Sequence, residues 1–157
     1  EMKATYGTGS SVVMQTGEQL VRSSNGLVTS IAWDFNGKVS YILEGNINYS
    51  GAVVTWLIDD LHLIHDPGEA EDVARRANPA DHAVFVPAFT GLGAPWWDGD
   101  AEATARRASR APTGRNEIVR AVLDSIPLQD TSLVRAMRSD RRLPRAGAGA
   151  PTAARAR

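Results

Sequence analysis

Four residues near the start, Gly7-Thr8-Gly9-Ser10, combine what a phosphate group asks of a protein loop. Glycines let the backbone approach a ligand closely, successive N–H groups can turn toward one anion, and the Thr8 hydroxyl can donate to a phosphate oxygen. No Gly-Lys-Ser/Thr follows, so this is not a Walker loop, and no Gly-x-Gly-x-x-Gly opens a helix. Taken alone, the tetrad is equally an ordinary glycine-bearing hairpin. Gly51 heads an apolar periodic stretch, where a small residue would let a ligand approach exposed helix N–H groups at the positive end of the dipole. Close packing against a sheet is the plain alternative. His62 and His65 stand near Asp59, Asp60 and Asp66, but the His-Glu-x-x-His arrangement is missing and no third ligand has diagnostic spacing. They read as a solvated face, and no metal site is assigned. His82 completes the histidines, and spacing assigns no Ser-His-Asp arrangement.

These residues need elements to hold them. "ATYGTGSSVVMQTG" predicts two short strands around the glycine turn, with Thr5 and Tyr6 on one and Val12, Val13 and Met14 on the other. "GLVTSIAWDF" and "KVSYILEG" are rich in β-branched and aromatic residues and flank Asn36-Gly37, a pair that accepts positive φ and suits a tight hairpin. An antiparallel meander is the expected opening unit. The period then changes: Val54, Leu57, Ile58, Leu61 and Ile64 recur at helical steps, predicting an amphipathic helix that ends near Asp66-Pro67-Gly68. A short polar helix in "EAEDVARRA" and a strand in "AVFVPAF" follow. From Asn116, a plausible cap, Ile118, Val119, Val122 and Ile126 share one helical face, and Pro127 should kink or break that helix. Strands first and helices after predict an α/β layered domain.

Bulk properties bound the function. The 157 residues, 43% of them hydrophobic, suit one domain with a buried core, and a net charge of -1 provides no overall field for nucleic acid or membrane. The absence of cysteine excludes disulfides and thiolate metal sites. No stretch approaches the roughly 20 apolar residues of a membrane span, and the start lacks the pattern of a secretion signal, so a cytoplasmic protein is expected. The end is different. Residues 139–157 are an Arg/Ala/Gly/Pro-rich tail that cannot build a core and is expected to be solvated and disordered, or not native to the domain.

Four strings, "ATYGTGSSVVMQTGE", "NGLVTSIAW", "GKVSYILEG" and "VPAFTGLGAPWWD", occur in the same order and at similar separations in the C-terminal domain of the FGGY carbohydrate kinase family. "TYGTG" and "PAFTGLGAP" make the chain resemble the glycerol kinases within it. The resemblance runs from Met2 to about Asp98 and continues more weakly through "TGRNEIVRAVLDSI", so residues 1–138 are assigned to a partial domain of this family.

The resemblance implies a ribonuclease-H-like, actin/hexokinase-type ATPase fold, incomplete here, in an enzyme that closes two domains over ATP and Mg2+. The implied reaction transfers the γ-phosphate to glycerol, giving sn-glycerol 3-phosphate. ATP and glycerol are the implied partners, together with a possible second copy of the chain, but no nucleic acid or membrane. Thr8 corresponds to a family contact to nucleotide phosphate, with Gly7 and Gly9 beside it, and Gly51 to a second nucleotide contact. Thr55 stands where many members have a nucleotide-facing Gln. Trp96 and Trp97 are expected to anchor their Gly-rich loop by burying aromatic area.

Departures limit what is implied. The family's general-base Asp falls outside these residues, so no catalytic residue is assigned. The family's glycerol-holding residues and its downstream Gly-Gly-Ala-x-x-Asn segment, which holds adenosine, also fall outside these residues. The expectation is a piece of a glycerol kinase, truncated at its start and truncated or frame-shifted near its end, and inactive by itself. The alternatives are a piece of another FGGY sugar kinase, or a non-catalytic remnant acting as an interaction module.

Overall fold

A computed structural model of the chain describes residues 1–106 and 113–142. Strand β1 (Met2–Tyr6) pairs antiparallel with β2 (Ser10–Gly17), and β3 (Val28–Phe35) with β4 (Lys38–Ile47). Asn36 and Gly37 turn between β3 and β4 at φ 50° and 74°, the positive values their types tolerate. Both hairpins therefore form where the alternation and turn residues place them.

The sheet order is β1-β2-β4-β3, which corrects the simple meander. β4 lies inside, bonded to both β2 and β3, while β3 takes the edge. Burial accounts for the exchange: β4 contributes Ser40, Leu43, Gly45 and Ile47 as buried residues, whereas no residue of β3 is buried. The strand richer in core side chains occupies the covered position.

Helix α1 (Gly51–Asp59) ends well before Asp66, the stop expected from the apolar period. His62 takes φ 53°, and the Leu61 and Leu63 N–H groups bond back to the Trp56 and Leu57 carbonyls across five and six residues, closing the helix. Ile64 is still buried, delivered by an irregular segment. A short 3₁₀ turn (Pro67–Glu69), capped by the Asp66 carboxylate on Gly68 N–H, leads into α2 (Ala70–Arg75). Strand β5 (Val84–Val86) pairs with β6 (Thr104–Arg106).

Helix α3 (Arg115–Arg142) runs through Pro127 unbroken, contrary to the expected break, and through residues 139–142 of the expected tail. Burial at both ends of the helix overrides the proline. Val119 and Val122 pack with Val53, Leu57, Val73 and Phe85 in one core cluster, and Leu133 and Met137 pack with Val12, Met14, Leu43 and Ile47 in a second. Asn116 is not the cap but lies in the first turn. Gly114 precedes the helix, and its N–H is taken by the Glu117 carboxylate at 2.9 Å, the back-reaching half of a capping box. Residues 143–157 lie outside the described residues.

Candidate functional site

The turn between β1 and β2 docks on the head of α1. The Ser50 and Ala52 N–H groups donate to the Thr8 carbonyl, each at 3.0 Å, and the Gly51 N–H donates to the Gly7 carbonyl at 2.8 Å. A helix start leaves its first N–H groups without intrahelical partners, and here the turn satisfies them. The sequence reading, in which these donors faced a ligand, is corrected: they are occupied by carbonyls. Close packing explains Gly51 directly, because a Cβ there would lie 2.5 Å from the Gly7 oxygen. Beneath the contact, the buried hydroxyls of Ser10 and Ser50 share a hydrogen bond of 2.5 Å, and Ser50 Oγ also donates to the Gly7 carbonyl at 3.3 Å.

Docking brings Thr8, Gly51 and Thr55 onto the wall of one cavity of about 600 Å³. Tyr49, Ala52, Trp56, Asp60 and Phe89 complete its lining. Gly7 and Gly9 shape the turn that carries Thr8, the Gly7 N–H donating to the Gly9 carbonyl at 2.9 Å, but neither lines the space. Thr55 Oγ leans on the Gly51 carbonyl at 3.5 Å. An aromatic panel backs the cavity. Phe89 lies 4.9 Å from Tyr49 and 5.1 Å from Trp56 between ring centres, and Trp56 stacks on Phe85 at 5.3 Å and 15°. Such contacts hold rings in fixed orientations. The cavity is thus lined by one hydroxyl-bearing turn residue, Thr8, by tilted and edge-on aromatic rings, and by one acidic residue, Asp60.

Sequence reasoning missed Tyr49, Trp56, Asp60 and Phe89. A signal existed for part of this set, since Ala52, Trp56 and Asp60 recur at four-residue steps on the face that also carries Gly51 and Thr55. Phe89 reaches the site only through tertiary packing.

The remaining candidates lie apart from this cavity. His62 Nδ1 is 2.9 Å from the Ile58 carbonyl, and the His65 N–H donates to Glu69 at 2.6 Å. Among the described residues no group of three His, Asp or Glu side chains is placed to hold a metal ion. Trp96 and Trp97 are 47% and 59% exposed, so the expected anchoring by burial is corrected. Trp97 ties its loop down with a hydrogen bond instead, its indole N–H donating to the Gly26 carbonyl at 2.7 Å.

Residues 2–151 match the FGGY family of carbohydrate kinases, C-terminal domain, so the match reaches past residue 138 into the Arg-rich end. The chain is 48% identical over 139 residues to the glycerol kinase of Alcanivorax borkumensis. It is 46% identical over 140 residues to that of Fusobacterium nucleatum. These alignments cover 88% and 89% of the chain and 28% of each relative, so the chain spans 28% of the length of these curated relatives. A crystal structure of Plasmodium falciparum glycerol kinase with ADP superposes with a TM-score of 0.79 at 42% identity, over 89% of this chain and 28% of the other. Gluconate kinase from Lactobacillus acidophilus shares the fold at 24% identity and a TM-score of 0.72, over 87% of this chain and 27% of the other. The actin/hexokinase-type ATPase fold expected from the strings is therefore the fold of this chain in part. With the family match spanning most of its length and a family backbone underneath, the chain belongs to the FGGY family of carbohydrate kinases, in its C-terminal domain.

Proposed function

We propose that this chain forms the nucleotide-holding wall of a cytoplasmic glycerol kinase, which transfers the γ-phosphate of ATP to glycerol. The observation that carries the reading is the convergence of Thr8 with Gly51 and Thr55, from a helix more than forty positions later, on one aromatic-backed cavity. Its volume falls in the range of about 300–1,000 Å³ usual for small-molecule sites. In this reading the Thr8 hydroxyl donates to a phosphate oxygen, and Gly51, whose missing side chain admits the Gly7 carbonyl, lines the wall beside it. Gly7 and Gly9 hold the turn that aims Thr8. Thr55, shorter than a Gln, reaches less far into the cavity and contributes mainly shape.

Phosphoryl transfer depends on positioning and charge stabilisation rather than on covalent help from the protein. Mg2+ supplies part of that stabilisation when bound. Glycerol is favoured over gluconate or xylulose because the glycerol kinase relatives are 41% to 48% identical, against 24% for the gluconate kinase and 12% to 24% for the xylulose kinases.

Calorimetric titration with ADP tests the reading. Binding is expected, and Thr8→Val, which keeps the shape and removes the donor, should weaken it about tenfold, the worth of one hydrogen bond to a charged group. Failure of the unaltered chain to bind, or an unchanged affinity in the variant, would overturn it.

A further inference from the structure

The four-stranded sheet ends in β1 on one side and β3 on the other, and only one of these edges is blunted. Strand β3 has a register shift between Ile31 and Trp33 and carries the charged Asp34, two features that spoil an edge for further pairing. Strand β1 keeps an unbroken register with β2 from Met2 to Tyr6, contains no proline, and has every residue exposed. Lys3 is its only charge.

The ladder shows which main-chain groups of β1 are unused. The Gln15 N–H donates to the Glu1 carbonyl at 3.0 Å, so Glu1 and Gln15 form a hydrogen-bonded pair, and such pairs alternate with non-bonded ones along an antiparallel ladder. Lys3 and Thr5 therefore turn their main-chain groups toward β2, and Met2, Ala4 and Tyr6 turn theirs outward. Among the described residues nothing bonds to these outward N–H and C=O groups. The side chains of the same three residues share one face. Their cross-strand partners Met14, Val12 and Ser10 are buried, and the Tyr6 hydroxyl donates to Asp130 of α3 at 2.5 Å, so this is the face that carries the core. Met2 and Tyr6 are nevertheless 42% and 60% exposed, because the core face runs out at this edge.

The sequence of β1 is complementary to itself. When two copies run antiparallel about Ala4, Met2 of one stands opposite Tyr6 of the other, a thioether against a ring, and Lys3 stands opposite Thr5. The two lysines do not face each other, and the small Ala4 leaves the axis uncrowded. In this register the outward groups of Met2, Ala4 and Tyr6 meet as bonded pairs, giving a ladder of about six hydrogen bonds.

We infer that β1 is a self-association surface, on which a second copy of the chain pairs antiparallel about Ala4 and joins two four-stranded sheets into one. The contact is isologous, the same strand on both sides of a two-fold axis. It stands independently of the nucleotide reading of the cavity.

Sedimentation velocity over a concentration series tests the inference. Five residues a side make a small interface, so the chain should run as a monomer at about 1 μM and increasingly as a dimer toward about 100 μM. Ala4→Lys and Ala4→Asp, each confirmed as folded by circular dichroism, set like charges against each other across the axis and should each weaken the dimer about tenfold. An equimolar mixture of the two should restore it. Hydrogen exchange on the unaltered chain gives a second reading that needs no variant: raising the concentration should slow the Met2, Ala4 and Tyr6 amides and leave those of Lys3 and Thr5 unchanged. A chain that stays monomeric throughout the series overturns the inference. A dimer that both variants retain, a mixture that fails to restore it, or slowed exchange that misses β1 overturns it equally, because the copies would then meet elsewhere.

Discussion

At the level of single residues, Asp140 shows how a charge is kept inside. It is 1% exposed and accepts from Ser23 Oγ at 2.6 Å, Asn25 Nδ2 at 2.6 Å, Ser24 N at 3.0 Å and Ser24 Oγ at 3.2 Å. Burial pushes its carboxyl up, but the donors together outweigh that and hold it below the usual carboxylate range. Glu117 is also lowered, first by the Asn78 N–H and then by that of Gly114. A group whose pKa is depressed on folding adds stability that is complete above its unfolded value and disappears as pH falls through the folded one. The contribution of Asp140 should therefore be full at neutral pH and fade below about pH 4. Asp140→Asn, which turns an acceptor into a donor facing other donors, should cost about 2–4 kcal/mol at pH 7 and less at about pH 3. Urea unfolding at both pH values checks this, and an equal cost at each would show that the charge is not what matters. Nothing in "RSDRRL" marks Asp140 as buried, because its donors come from a loop more than a hundred positions earlier.

At the level of elements, α3 is where local and tertiary preferences disagree. Pro127 has no N–H, so the Leu123 carbonyl loses its helical donor, and an interior proline costs about 3 kcal/mol or more. The helix continues because it is pinned on both sides of the proline. Toward its end the pinning is close: a Cβ on Gly45 of β4 would fall 2.4 Å from Leu133 Cδ2, so the missing side chain on the strand makes room for the helix. Hydroxyls occupy neighbouring carbonyls, with Ser125 Oγ donating to that of Val122 at 2.6 Å and Thr131 Oγ to that of Pro127 at 2.7 Å. Pro127→Ala should restore a donor and raise stability by about 1–3 kcal/mol. A thermal melt measures it, and a lowered midpoint would mean that packing of the proline ring outweighs the missing bond. The hairpins and α2 were legible from alternation, turn residues and helical period. The end of α1 was not, because Leu61 and Ile64 keep a helical period while the backbone has already left the helix.

For the whole molecule, α3 joins two core clusters, one under the four-stranded sheet and one around α1, α2 and β5. The candidate cavity opens beside the second, and its lining contains the Thr8 hydroxyl but no residue that the family resemblance assigns to deprotonating glycerol. Catalysis of phosphoryl transfer needs both lobes of a cleft to position the reactants. Purified chain given Mg-ATP should therefore form no ADP in response to glycerol, and a coupled assay showing glycerol-dependent turnover would require a base and a glycerol site among these residues. By itself the sequence determined the hairpins, the main helical periods and, through four ordered strings, the family. Those features are written in local alternation, turn chemistry and contiguous motifs. Tertiary structure alone decided that β4 lies inside the sheet, that the N–H groups at the head of α1 are taken by the Gly7 and Thr8 carbonyls, that α3 survives its proline, and that Tyr49, Trp56, Asp60 and Phe89 share one cavity. Each of these depends on which distant segments bury area against one another, and no local pattern records that.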